Sequence, residues 1–509
     1  MSSAEQLERY LHELRSRADE ARLRGARGVR AVLAREAREL APDALAKLLG
    51  ALARHALELV HAYDAHDRQA GVLVVEALLD TETDEDATKL GRCATCLRRV
   101  FEHSADGRTL ALAARALGRL ARVGGSITAD FVEAQLRLSL DWLDGAERAD
   151  GRTLAAALAL RELADHAPTL FAQHVGGFLA RLWRAVYDPR AQVRDAAVAA
   201  LAACLRLIGA RSAAHAAQWH RAVADEVLAG ARGQRAGGSA ESIDGALCAL
   251  GELLRHRCDH LREPAAYGAV CALARELFAT RDRLVRRALV ALVPRLAQFA
   301  TAEFFATQLT SFFPFVLGAA RAPNAPEARA HALEAAGELA LLVGGAPIAP
   351  YLPDLLAACA DALPRKPTAK RPYLLEGVAC VGRLCVACGP AMSDALAGGL
   401  LEGMLHAGLT PQLVEALLAL CARVPALAPR ARAALLYVLA VTLTGRPSSE
   451  WLDAPDGGSA GAPAELDGLV ADERDVFAAA AGAQPHVGAP APPSGAGGGV
   501  PLQLSLIHI

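Results

Sequence analysis

Aromatic residues are scarce, at 5% of 509 positions, and a chain so poor in Phe, Tyr and Trp is a poor source of strands. Its 53% hydrophobic content is carried instead by Ala and Leu, the residues with the best helix propensity, which disfavours an all-β fold from the outset. Lysine is almost missing. Lys47, Lys89, Lys366 and Lys370 are the four among 54 basic residues; with Arg, Ala, Gly and Pro all common, part of the composition reports on GC-rich codons rather than on a task. Net charge is also small, at −2, so no global field draws nucleic acid or an anionic membrane to the chain.

Other absences narrow the function further. The longest uninterrupted apolar runs, such as Ala196 to Leu205 and Ala433 to Val441, fall well short of the roughly 20 residues a bilayer span requires. Ser2 to Arg30 mixes Glu, Arg and Asp throughout and contains no apolar core of a secretory leader. The eleven cysteines, an odd number, follow no regular spacing, which fits reduced thiols in a reducing compartment. There is no Gly-x-Ser-x-Gly elbow, no His-Glu-x-x-His and no Gly-x-x-x-x-Gly-Lys-Ser/Thr phosphate loop, and the 15 His are scattered. The residues that phosphoryl transfer needs, a phosphate-binding Lys, a catalytic-loop Asp and an Asp beside Phe-Gly, do not occur together either.

What is present is a repeat. A short polar turn with Asp or Glu leads to a basic residue and then to an Ala/Leu helix, most clearly from Asp188 to Leu201, where Val193, Ala197, Ala200, Leu201 and Cys204 fall on one helical stripe. Related copies start near Asp67, Asp106, Asp150, Asp244, Asp282 and Glu327. Their spacing of about 40 to 45 residues is the period of two-helix HEAT or armadillo units. The one longer gap, Asp188 to Asp244, contains Gly230 to Ser239, which reads as a flexible loop between helices. A further hairpin has Thr410 as N-cap, Pro411 at the first helical position and a buried face of Leu413, Val414, Leu417, Leu418, Cys421 and Val424, with a second helix over 428–443 packing back. The expected fold is an all-α, right-handed α-solenoid of HEAT-type helix pairs over residues 1–445, with a low-order N-terminal helix in 1–40 and a disordered C-terminal tail.

After Gly445 the periodicity stops. Residues 446–503 read as a Gly/Pro/Ala-rich linker with at most one short helix around Asp472 to Ala481. The last six residues, 504–509, back-translate to CTG TCT CTT ATA CAC ATC, a transposon end used in sequencing adapters. They are expected to be adapter-derived, with the natural chain continuing beyond.

Candidate chemistry is thin. Cys93, Cys96 and His103 are the most metal-like cluster, but zinc takes four ligands and the other close pair, Cys385 and Cys388, lies hundreds of residues away. Both pairs sit in helical patterns, where cysteine is a small apolar side chain. Arg15, Arg17, Arg22, Arg24, Arg27 and Arg30 could form a basic contact surface, yet Glu13, Asp19, Glu20 and Glu36 among them fit an ordinary solvated helix face. Asp188 with Arg194 and Asp282 with Arg286 read as structural pairs linking repeats. Trp142, Trp183 and Trp219 suit core, ridge or contact positions equally. No catalytic, cofactor-binding or metal-ligating residue is assigned.

The same segments resemble, in order, the N-terminal HEAT region of the TOR (target of rapamycin) protein kinases. The likeness runs from Glu58-Leu59-Val60 through Asp80, Ala116 to Ala121, Thr128 to Glu133 and Trp142-Leu143, is strongest from Gly151 to Leu207, and resumes at Gly245-Ala246-Leu247, Leu292 to Ala297, Tyr351-Leu352-Pro353 and Leu400 to Pro425. It covers most of residues 20 to 445. It implies that the intact protein is a large Ser/Thr kinase related to the phosphatidylinositol 3-kinases, using ATP and Mg in nutrient and growth signalling. The helical array would then be a non-catalytic scaffold without a cofactor, assembling with a second TOR copy and docking a Raptor-like subunit. It would bind no nucleic acid, insert into no membrane, and be cytoplasmic and peripheral on endomembranes through its partners. The FAT, rapamycin-binding and kinase regions lie C-terminal to this segment in the family. The stretch from Arg255 to Arg281 is shorter than its animal counterparts, and the tail after Gly445 matches nothing in the family. The alternative is an unrelated HEAT adaptor, such as a phosphatase scaffold or an import receptor, although an import receptor should show an excess of acid for basic cargo.

Overall fold

The computed structural model describes residues 3–81, 87–145, 151–211, 213–256, 258–323, 325–364, 366–368 and 371–444. The chain divides into a compact unit from Met1 to Ser448 and a second from Ser449 to Ile509. The linker, the short helix at 472–481 and the last six residues fall outside the described residues. Among those described, the regular structure is helical and no strand occurs.

The helices form two rows. One row runs α4 (Ala65–Leu79), α6 (Gly107–Gly124) and α8 (Arg152–His166), then Ala191–Gly209, Ala240–Arg255, Arg283–Phe299, Pro326–Val343, Leu375–Cys388 and Pro411–Arg423, each packed on the next. The other row covers one side of the first: α3 (Pro42–Val60) packs on α4, α5 (Ala87–His103) on α6, and α7 (Ala129–Asp144) on α8. Ala213–Ala231, Leu309–Ala320 and Leu352–Ala362 do the same for later partners. Residues 3–39 form two helices, α1 (Ser3–Leu14) and α2 (Asp19–Glu39). They close on one another through Gly25, where an added Cβ would lie 2.8 Å from the carbonyl oxygen of Tyr10.

The stripe proposed for the Asp188 repeat is the core of its helix: Val193, Ala197, Ala200, Leu201 and Cys204 are all buried. For Pro411–Arg423 the helix is as expected, with Thr410 Oγ1 accepting from the Leu413 amide at 3.3 Å, but the buried face is not. Leu418 is 62% exposed, while Leu413, Ala416, Leu417, Leu420 and Val424 are buried. Steps of three, four and seven from Leu413 select that set, and Leu418 lies outside it. The Gly230 to Ser239 segment is a compact turn rather than an open loop. Gly233, Gly237 and Gly238 adopt positive φ there, and the wide repeat spacing is filled by the full helix Ala213–Ala231.

Close backbone approach sets which positions must stay small. At Gly245 an added Cβ would lie 1.9 Å from the Val186 carbonyl oxygen, and at Gly382 it would lie 2.8 Å from Ala416 Cα.

The polar turn supplies a side-chain cap in several repeats, though not before Arg152–His166, Ala191–Gly209, Pro326–Val343 or Leu375–Cys388. Asp64, Asp106, Ser239, Asp282 and Thr410 each accept from amides in the first turn of the following helix. The basic residue that follows has a second task. Arg68 donates to the carbonyls of Ala62 and Tyr63, Arg194 to those of Asp188 and Pro189, Arg286 to that of Thr280 and Arg329 to that of Ala320. An arginine in the first turn thus folds back over the preceding linker and satisfies carbonyls that no helix can.

The pairs expected between repeats form with different partners. Arg194 does not pair with the Asp188 carboxylate but with Asp244 of the next row helix, at 3.0 Å with both side chains 2% exposed. Asp188 holds Arg190 instead. Burial alone would push the Asp188 carboxyl up, but the Arg190 side chain and amide hold it below the usual range. Asp282 caps its own helix, and Arg286 lies over the Phe315 ring at 5.3 Å. The ladder arises because Asp244 sits within a helix at the height of the neighbouring helix's first turn, a register that repeat spacing alone does not reveal.

By length and hydropathy one run, Leu375–Leu405, could cross a bilayer, and the bent pairs Arg283–Phe299 with Thr301–Ala320 and Pro411–Arg423 with Pro425–Leu436 also qualify. Uninterrupted apolar stretches do not reveal these, because charges such as Arg383 and Glu402 dot them. In the fold the first run is broken by positive φ at Gly389 and Gly399, and its leading helix packs between two row neighbours.

Two outcomes test this account. Gly245→Ala is expected to destabilise by about 1–3 kcal/mol through backbone displacement, seen as a lower urea midpoint. Arg194→Ala should cost about 3–5 kcal/mol because it leaves a buried carboxylate with only the longer Arg287 contact, whereas Arg190→Ala, whose guanidinium is half-exposed, should cost no more than about 1 kcal/mol in the same titration.

Candidate interaction surface

The row helices have one side covered by the second row, and across their other side carboxylates and guanidiniums alternate from repeat to repeat. Glu76 on α4, 1% exposed, receives Arg30 from α2 at 3.0 Å and Arg115 from α6 at 3.4 Å. Asp80 likewise holds Arg30 and Arg119, at 3.0 and 2.6 Å. Further along, Asp165 pairs with Arg206 at 2.9 Å, and Asp244 adds Arg287 at 3.5 Å to its bond with Arg194. Gln69 on α4 donates to Asp106 at 3.0 Å, so the capping carboxylate is also an inter-repeat link. Burial would raise the Asp106 carboxyl, but Thr109 and Gln69 hold it below the ordinary value.

The N-terminal arginines therefore divide. Arg15 pairs with Asp67 at 2.7 Å, Arg24 lies 3.8 Å from Glu13, Arg22 is buried between Asp19 and His66, and Arg30 enters the ladder, while Arg27 is exposed. A solvated face describes some of them. Arg22 and Arg30 are instead structural links from α2 to α4, a role that depends on which carboxylates the neighbouring helix presents.

Between the ladders lie shallow grooves. One, of about 450 Å³, crosses α2, α4, α6 and α8 over Leu23, Leu73, Leu112 and Leu158. Another, of about 350 Å³, lies over Val198, Cys248, Ala291 and Leu292 in the next three row helices. A third, of about 710 Å³, is bounded by Val175, Leu207, Arg211 and Trp219. Trp219 is half-buried there against Gly176, Trp183 stacks on Tyr187 at 6.2 Å, and Trp142 is half-buried on α7.

None of the candidate metal or nucleophile positions converges. Cys93 and Cys96 are buried on α5 while His103 is exposed beside Glu102. Burial pushes the Cys93 thiol up to about 12 and the Cys96 thiol up to about 11, and Cys385 likewise to about 12. Such thiols stay protonated at neutral pH and are poor ligands and nucleophiles. Among the described residues no three His, Cys, Asp or Glu side chains are placed to hold a metal ion.

No family profile matches the chain. The serine/threonine-protein kinase TOR of Oryza sativa is 36% identical over 408 residues, covering 80% of this chain and 16% of that protein. TOR of Arabidopsis thaliana is 35% identical over the same extent, and tor1 of Schizosaccharomyces pombe 30% identical over 86% of this chain and 18% of its own length. This chain belongs with the N-terminal HEAT region of the TOR kinases. It spans about a sixth of the length of those TOR relatives, and the stretch matched is non-catalytic, so these residues hold no kinase domain. Among solved structures, importin beta superposes with a TM-score of 0.53 at 14% identity, covering 86% of this chain and 54% of that one. Kap95 in its complex with Nup1 gives 0.52 at 12% identity, covering 82% and 50%. At that identity the likeness is one of fold, a helical-repeat solenoid, so the import-receptor alternative gains no support beyond it while the TOR reading has sequence behind it.

The burial pattern of the TOR-related array predicts its thiol chemistry. With iodoacetamide at pH 7.5, peptide mass spectrometry should find Cys93, Cys96, Cys204, Cys258, Cys271, Cys359, Cys380 and Cys385 unmodified in the folded chain. Labelling should be confined to the half-buried Cys388 and Cys421, since burial pushes the Cys248 thiol up to about 12, and become complete in urea.

Proposed function

We propose that this chain is the partner-docking scaffold of a TOR-type Ser/Thr kinase, with residues 1–445 as the docking array and residues 446–503 as a linker. The observation that carries this reading is the 36% identity to a TOR kinase across 80% of the chain, joined to an array of stacked helices cross-linked by charge pairs such as Arg194 with Asp244 and Arg30 with Glu76. A row of stacked helices offers a long surface on which a few anchors can capture a partner, and its rigidity comes from neighbours packing on neighbours. The partners proposed are a Raptor-like subunit and a second TOR copy. The intact protein would phosphorylate proteins with ATP and Mg in nutrient and growth signalling, from the cytoplasm and on endomembranes through its partners.

Immobilised full chain incubated with an extract of cells containing TOR complexes is expected to retain a Raptor-like subunit, identified by mass spectrometry. Retention of no TOR-complex subunit would count against the assignment. The same purified chain should transfer no phosphate from ATP to a peptide, and reproducible transfer above a blank would overturn the scaffold reading.

A further inference from the structure

The groove across α2, α4, α6 and α8 has a floor and a rim of different chemistry. Its floor is aliphatic: Leu23 is 58% exposed, and Leu73, Leu112 and Leu158 are half-buried. Its rim is basic. Arg22, Arg108, Arg115 and Arg161 line it against two carboxylates, Asp19 and Glu162. Arg108 is 67% exposed and Arg115 53%, so each keeps N–H donors turned to solvent despite its pairing with Asp19 or Glu76.

The charge around it agrees. Of the chain's 54 basic and 56 acidic residues, one and eight fall after Ser448, which leaves the helical unit with a formal +5 where the whole chain has −2. From these observations we propose that the groove receives an acidic amphipathic helix of a partner protein. The proposal rests on the scaffold reading above and gives it a location and a ligand chemistry. A polynucleotide would satisfy the guanidiniums but leave the leucines uncovered, whereas a helix with apolar residues on one face and Glu or Asp beside them covers both.

The row also sets a spacing. Packed helices lie about 8–10 Å apart, so the floor leucines recur at that interval, and about 10 Å is the rise of seven residues of α-helix at 1.5 Å each. A helix lying along the row would therefore place apolar side chains seven residues apart over Leu73, Leu112 and Leu158, with acidic residues facing Arg108, Arg115 and Arg161.

The test uses the full 509-residue chain and a phage-displayed library of random peptides of about 21 residues, three heptads long. Selected peptides are expected to be acidic, to carry apolar residues seven apart, and to bind in fluorescence anisotropy at low salt. Arg108→Glu and Leu23→Asp should each weaken that binding at least about tenfold, equivalent to about 1.4 kcal/mol, with Tm unchanged. Leu23 is exposed enough that its variant reports on the groove and not on folding. Arg295→Glu, in the neighbouring groove, should leave affinity within about twofold, below about 0.4 kcal/mol. Selection of no peptide, peptides without acidic excess, equal binding by the Leu23→Asp chain, or full competition by a single-stranded oligonucleotide would each overturn the proposal. Recovery of TOR-complex subunits in the bait experiment would in that case still leave the scaffold reading standing, docked elsewhere.

Discussion

Each helix of the main row packs against its row neighbours, and no single helix pair can bury all of its apolar surface alone. Stability therefore comes from stacking, and the close approach stacking needs is what the Ala- and Gly-rich stripes permit. Gly245 against the Val186 carbonyl and Gly382 against Ala416 mark where adjacent backbones come too close for a larger side chain. The rest of the structure follows from holding those helices in register.

Register is held by charge. Arg194 and Asp244 are both withdrawn from water, and a buried guanidinium or carboxylate is tolerable only where its donors or acceptors are met. Arg194 meets that condition by bonding two carbonyls of its own linker and the carboxylate of the next repeat. Near the N-terminus, buried Glu76 is held between Arg30, which donates to Oε2, and the Arg115 guanidinium at 3.4 Å. A slip of one residue between helices would break each of these links, whereas a purely aliphatic contact would tolerate it.

This division of labour places many of the array's polar groups in the architecture itself. Carboxylates such as Glu76, Asp244 and Asp282 are committed to arginines or a helix cap, and burial pushes the Cys93 and Cys96 thiols well above their usual range. What remains for function is surface: a leucine floor whose rim includes Arg108 and Arg115, both with the guanidinium partly in solvent.

The repeat, the helices and the scaffold role were legible in the sequence, because period, propensity and capping are local: Thr410, Pro411 and the Val193 to Cys204 stripe read correctly one helix at a time. The resemblance to TOR kinases was equally a matter of order along the chain. What tertiary structure alone decided is which charges meet. Asp188 and Arg194 are neighbours in sequence, yet Arg194 is claimed by Asp244 from the next repeat, and Leu418 faces solvent because helical rotation puts Ala416 and Leu420 inward. The groove over Leu23, Leu73, Leu112 and Leu158 joins four helices whose leucines are spread over 136 residues, and only their stacking brings those side chains to one face.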